Sequence, residues 1–352
     1  MGSGLAIDTE GKKRIKYLDL AKGLCIVLVV FFHAKGILDR DYWFDPFLSS
    51  FRMPLYFLLS GLFFRDYGSF MRFLTKKVNR LLVPFLTFYL LTAVLIPNIA
   101  HLVWGTEFQT VIGLPSLWAF IWPGQYPNIP IWFLWCLFLM NGMFWFIHSV
   151  SMRQTDSRKK SHGLGILIVI CLVCGFAGWI LRDKLTFDVG NLFKALASMP
   201  FFCFGHLLGS QNGLTALNNL KKARALPLFC IMLGISLFCS LFLTSENVGI
   251  EYLLHLISGL AGAMMIVILS RMIVHLPFIS YIGRYSIILV LTHGILIRVF
   301  TPLCHTLSKA LHPDLTLLIT TLIILLSYLI IIPLARRYFP HVTAQKPLFP
   351  ET

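Results

Sequence analysis

The stretch from Leu18 to Gly36 reads LDLAKGLCIVLVVFFHAKG. Its middle is a continuous apolar run, and about 20 such residues cross a bilayer as a helix. In hydrocarbon no water is at hand for backbone N–H and C=O groups, so a segment of this kind satisfies them internally and is helical. Three side chains depart from the pattern: Asp19 and Lys22 at one end and His33 near the other. Lys22 and His33 are eleven residues apart. At 100° per residue that spacing falls about 20° from three full turns, so the two share a stripe and lie roughly 16 Å apart along the axis. Asp19 precedes Lys22 by one turn, on nearly the same face. An ionisable group inside a span is costly and marks a functional site by default. Two readings stay open here. One is a structural Asp19–Lys22 pair at the interface, with His33 reaching outward. The other is a polar channel in which His33, of the residue type that changes charge near neutral pH, is a base reached from outside.

The rest of the chain repeats the apolar pattern. Of 352 residues, 57% are hydrophobic and 13% are charged, where a soluble domain carries about 25% charged residues. The fold class expected is an all-α integral membrane protein of about ten transmembrane helices. They are placed at 18–38, 47–64, 81–103, 131–150, 163–181, 191–209, 225–243, 250–270, 279–300 and 315–335. Two apolar patches near Val111–Trp122, broken by Pro115 and Pro123, are too short to span and read as an interfacial or re-entrant piece. Residues 1–17 form an N-terminal arm, 18–335 one polytopic membrane domain, and 336–352 a tail. The first apolar run is read as a retained helix, because a charged cluster follows it in place of a small-residue cleavage site.

Charge orients the spans. Cytoplasmic loops are rich in Lys and Arg. Here the bases gather in the N-terminal arm (Lys12, Lys13, Arg14, Lys16), the second-to-third connection (Arg65, Arg72, Lys76, Lys77, Arg80) and the fourth-to-fifth (Arg153, Arg158, Lys159, Lys160). They recur in the sixth-to-seventh (Lys221, Lys222, Arg224), the eighth-to-ninth (Arg271, Arg284) and the tail (Arg336, Arg337, Lys346). The intervening loops hold fewer bases and most of the acids. Both termini are therefore expected in the cytoplasm, and an odd number of spans would put basic loops outside. The net charge of +15 is mostly topological, so no nucleic-acid partner is expected despite the basic balance. The eight cysteines lie almost all within apolar runs, which argues against a disulfide framework. Cys171 and Cys174 form a CxxC without a second one, and small buried hydrophobes are the plainer reading. No metal is expected. Lys22, Arg52 and Lys194 are the bases left inside or at the edge of spans.

Three further constellations carry potential chemistry. Lys76, Lys77 and Arg80 precede the third span, with Pro84 after them, and Lys77 and Arg80 are one turn apart. Such a cluster suits the phosphates of a nucleotide-like cofactor, and the positive-inside rule also accounts for it. Outside, Trp104, Trp118, Trp122, Tyr126, Trp132 and Trp135 form either an interfacial belt or a platform for sugar rings, where Glu107 can accept hydrogen bonds from hydroxyls. His293, in the outer half of the ninth span, is a second histidine able to line a cavity or simply to bond a backbone carbonyl.

Taken in order, LDLAKGLCIVLVVFFH (18–33), MPLYFLLSG (53–61), KKVNRLLVP (76–84), WFL (132–134), MPFFCFGHLLG (199–209) and YIGRYSIILVLTH (281–293) resemble segments of the acyltransferase-3 superfamily. The likeness is greatest to its bacterial polysaccharide O-acetyltransferases and fucose-acetylase-like members, and it runs from about Arg14 to Leu334. The resemblance implies acetyl-CoA, or another acyl-CoA, as a donor from the cytoplasm. It implies a glycan or lipid-linked sugar hydroxyl as acceptor and the bacterial cytoplasmic membrane as location. It makes His33 the catalytic base with Asp19 beside it, and Lys22, Lys76, Lys77 and Arg80 the donor-binding cations. Glu107, Trp132 and His293 then fall to the acceptor. One departure stands out: better-known members carry Arg where this chain has Lys22, and lysine lacks the bidentate fork. A transporter or flippase for a polyprenyl-linked sugar is the alternative. A homo-oligomer or a polysaccharide-synthesis complex is left open as the assembly.

Overall fold

The computed structural model describes residues 5–7, 13–96, 128–153, 160–185, 188–210, 212–242 and 247–351. A short antiparallel ribbon comes first, β1 (Leu5–Ile7) with β2 (Lys13–Ile15), Leu5 facing Ile15. Helices follow: α1 (Lys16–Lys35), α2 (Asp45–Leu62), α3 (Phe70–Leu95), α4 (Trp132–Arg153), α5 (Lys160–Lys184), α6 (Leu192–Ala197) and α7 (Met199–Ser210). After them come α8 (Gly213–Asn218), α9 (Lys222–Leu241), α10 (Val248–Ile273), α11 (Pro277–Arg284), α12 (Ser286–Ser308) and α13 (Pro313–Tyr338). Among the described residues, eight helical stretches are long and apolar enough to cross a membrane. The chain is an all-helical multi-pass membrane protein, as its composition requires.

The two remaining expected spans take other forms. The one at 47–64 is α2, 18 residues long and carrying Asp45, Arg52 and Pro54. The one at 191–209 is broken: α6 ends at Ala197 and α7 begins at Met199, with Pro200 in its first turn. A third, at 279–300, divides at Tyr285 into α11 and α12. The patches near Val111–Trp122 lie outside the described residues.

Contacts divide the chain into two units: Met1–Phe64, Phe201–Leu289 and Leu296–Leu329 form the first, and Arg65–Pro200, Val290–Ile295 and Ile330–Thr352 the second. In the first unit α1 lies against α11 at backbone distance. A Cβ at Gly283 would collide with the carbonyl of Asp19 and the amide of Gly23, and one at Gly23 with the carbonyl of Ile279. α2 meets α7 in the same way, through Gly61 on Phe202 and Gly205 on Leu58. Where lipid is as apolar as any side chain, close backbone approach of this kind is what holds helices together. Buried hydroxyls add to it: Ser258 Oγ donates to Ser50 Oγ at 2.9 Å and lies 3.0 Å from the Ser236 carbonyl, linking α10 to α2 and α9.

In the second unit α3 and α4 pack through stacked rings, Phe85 on Trp135 and Phe73 on Trp145. Asp188 is buried and accepts the Phe193 amide at 2.8 Å, closing the start of α6.

Replacing Gly283 by Ala should lower the melting temperature of the detergent-solubilised protein, because overpacking costs about 1–3 kcal/mol, more than the ~1 kcal/mol of helix propensity gained. Gly234→Ala, with open space around it, is the control and should melt at or above the wild-type temperature. Equal melting of Gly283→Ala and wild type would contradict the backbone contact.

Candidate functional site

The stripe expected on α1 sits in the first unit. Asp19, Lys22 and His33 are all half-buried. Ile26 and Val30, both fully buried, lie between them on the same face of the helix, so the stripe is on the packed side of α1. The Tyr56 hydroxyl donates to the Lys22 carbonyl at 3.1 Å, and the Lys22 ammonium lies 5.1 Å from the Phe63 ring centroid. So α2 and the residue that follows it supply the environment of the stripe at its N-terminal end.

At the C-terminal end of the stripe α2 contributes a fourth group. Arg52 is only 7% exposed. Its guanidinium lies 3.9 Å from the centroid of Phe32, the neighbour of His33 in sequence and in an edge contact with its ring. Nη1 reaches the Leu28 carbonyl at 3.4 Å, and the Arg52 carbonyl accepts a bond from Cys25 Sγ at 3.0 Å. Arg52 is within electrostatic reach of His33. Among the described residues no carboxylate is within ion-pair distance of it. Asp45, the acid within electrostatic reach, is committed to Lys35 at 2.5 Å, and Lys35 also holds Asp41 at 2.9 Å. The loop beyond is tied down by Asp314, which accepts the Tyr42 hydroxyl at 2.7 Å and pairs with Arg40 at 3.5 Å. Burial, and then that hydrogen bond, raise the pKa of the Tyr42 phenol.

The basic run belongs to the second unit, on α3. Residues Val78–Leu82 form a π-helical turn in which the Val83 amide bonds to the Val78 carbonyl. The cause is local. Pro84 has no N–H to give the Arg80 carbonyl and its ring crowds that group, and the wider turn absorbs the misfit. Lys77 and Arg80 are near enough to repel one another, and neither has an ion-pair partner among the described residues. Arg80 is exposed and Lys77 half-buried. Two adjacent cations without an acid fit a phosphate, which accepts charge-assisted bonds from both. Lys76 differs: its ammonium lies 4.2 Å from the Tyr67 centroid and 3.3 Å from Glu351 Oε2.

The other candidates are also in the second unit or undescribed. Trp132 opens α4, and the Lys194 ammonium sits 5.0 Å from its ring centroid. His293 is fully buried, on the turn of α12 where Gly294 meets Asn128 and Pro130. Glu107, with the other aromatics of its loop, lies outside the described residues. A shallow apolar groove on α5, at His162, Gly165 and Val169, holds none of the candidates. No cluster of His, Cys, Asp or Glu among the described residues could hold a metal, and all eight cysteines are free thiols.

Arg52 and Asn79 had no site role in the sequence reading. Arg52 carried a usable signal, a base within a span, but nothing in the one-dimensional pattern puts it beside His33. Asn79 is masked by its position inside a basic run.

A family model described as an acyltransferase domain, acyltransferase-3, matches residues 15–336. No curated protein and no solved structure matches the chain. The family match takes in nearly the whole sequence, including every helix from α1 to α12 and nearly all of α13. With its multi-pass helical architecture, the chain belongs to the acyltransferase-3 family and is a membrane acyltransferase.

Proposed function

We propose that this acyltransferase takes an acyl group, acetyl first among candidates, from cytoplasmic acyl-CoA and gives it to a hydroxyl of an extracytoplasmic or lipid-linked glycan at the bacterial cytoplasmic membrane. The observation that carries the reading is the placement of Arg52 at the His33 end of α1: its buried guanidinium lies on the Phe32 ring, which meets the His33 ring edge-on, with no carboxylate in ion-pair distance among the described residues. The donor supplies the acyl group already activated as a thioester. The chain's part is proton and charge. His33 takes the proton of the acceptor hydroxyl as its oxygen attacks the thioester carbonyl; the C–S bond then breaks and CoA leaves as the thiol, taking the proton back from His33. Arg52 offers a fixed guanidinium to the negative charge that develops, and a preorganised cation costs no reorganisation at that moment. Asp19 and Lys22 are given the inner end of the stripe. On α3 the basic run is given the donor phosphates, Lys77 and Arg80 first and Lys76 beside them. The two assignments stand on separate units and are tested separately.

Purified protein in nanodiscs, given radiolabelled acetyl-CoA and a membrane glycan fraction, should transfer label. His33→Ala should reduce turnover about a hundredfold or more, the worth of a general base, with unchanged melting. Arg52→Gln should lower kcat by a similar factor and leave acetyl-CoA affinity within twofold. Near-normal turnover in His33→Ala would refute its role, and a loss confined to KM in Arg52→Gln would move Arg52 from charge stabilisation to binding.

Equilibrium binding of acetyl-CoA addresses the second unit. A charge-assisted contact is worth about 1.5–3 kcal/mol, so removing two in Lys77→Ala/Arg80→Ala should weaken affinity by about a hundredfold or more. Unchanged affinity would leave these cations to topology alone.

A further inference from the structure

The segment that follows α13 returns to the basic run. It is folded by its own bonds: the Gln345 and Lys346 amides donate to the Pro340 carbonyl at 2.8 and 3.0 Å, and the His341 ring bonds the Pro347 carbonyl at 2.9 Å. It then lies along the π turn of α3. Asn79, 2% exposed, uses both ends of its amide there. Its Oδ1 accepts the amides of Leu348 and Phe349 at 3.1 and 2.8 Å, and its Nδ2 donates to the Phe349 carbonyl at 2.8 Å. Two residues on, the Glu351 carboxylate meets Lys76 at 3.3 Å. All of these groups belong to one unit.

The contact has two parts of different strength. The Asn79 bonds are buried and satisfy backbone groups that would otherwise be orphaned, so they hold the segment in register. The Glu351–Lys76 pair is about one-fifth to one-quarter exposed, where an ion pair is weak and readily exchanged. A carboxylate of low intrinsic affinity is thus kept at a cation by a tether, which gives it a high effective concentration. A phosphate placed on the same run would bring more charge and more acceptor atoms to Lys76 than a carboxylate does.

We propose that Glu351 is a built-in placeholder for a donor phosphate. The strap Pro347–Glu351, pinned by Asn79, competes with acyl-CoA at Lys76 and lowers the apparent affinity of the basic run for it. The inference rests on the reading of that run as the donor site. Releasing the carboxylate should therefore tighten donor binding, and so should unpinning the strap.

The test is acetyl-CoA binding to the full chain at low and at physiological salt. Glu351→Gln, a change at a partly exposed side chain, should bind about two- to tenfold more tightly than wild type, and Glu351→Asp should stay near wild type. Asn79→Ala, if it melts as wild type does, should shift the same way as Glu351→Gln, and the two changes together should add little. Affinity unchanged or weaker in Glu351→Gln overturns the placeholder. The Lys77→Ala/Arg80→Ala variant decides the donor site independently: lost binding there with no gain in Glu351→Gln retires the strap and keeps the site. Unchanged binding in both retires the two together.

Discussion

A charged side chain at membrane depth costs a few kcal/mol unless the protein answers it, and the way each charge is answered sorts this molecule into scaffold and site. Lys35, at the C-terminal end of α1, has two aspartates on its ammonium. Arg271 is spent on the carbonyls that end α8, with bonds of 3.2 and 2.7 Å to Leu217 and Asn218. These are charges settled by local partners. Arg52 is treated differently. It is more deeply placed than most charged groups, yet it receives a ring face and one long bond to a carbonyl instead of a carboxylate. Lys77 and Arg80 likewise stand beside each other with no acid among the described residues. The proposed chemistry gives an outside partner to both places: the developing charge at Arg52 and the donor phosphates at Lys77 and Arg80.

Much of this was legible in one dimension. Composition fixed the membrane class, and the 100° arithmetic of Asp19, Lys22 and His33 applies because α1 is one unbroken helix across all three. Span positions were read well where the apolar run is uniform, as in α5 and α10. They were read less well where a run conceals a break. Hydropathy sees the apolar run at 191–209 as continuous, but the backbone is αL at Gly190 and Asn191, and α6 gives way to α7 just ahead of Pro200. Pro277 and the turn at Tyr285 divide another run into α11 and α12. What could not be read was contact between distant segments. Arg52 was visible as a base in a span, but its place on Phe32 depends on how α2 crosses α1. The link of Asn79 to Phe349 joins residues 270 positions apart.

The motifs that carry the family likeness divide in the same way. In YIGRYS and in MPFFCFGHLLG the glycines are packing devices: Gly283 lets α11 touch α1 beside Asp19, and Gly205 lets α7 touch α2. Gly61 of MPLYFLLSG does the same from the other side. These residues set the position of the stripe without taking part in its chemistry. KKVNRLLVP is both at once, since Pro84 creates the π turn and the turn presents the cations. A substitution in such a motif can abolish activity through either route, so activity alone does not separate them and melting must accompany it.

The central claim is that His33 on the α1 stripe serves acyl transfer to a glycan rather than passage of the glycan itself. The most direct measurement is a mass spectrum of the cell-surface glycan from cells with the wild-type gene, without it, and with His33→Ala at equal membrane abundance. The account predicts an intact polymer that loses acyl mass, 42 Da per site for acetyl, in both the deletion and the variant. Loss of the polymer itself, or full acylation in His33→Ala cells, would contradict it.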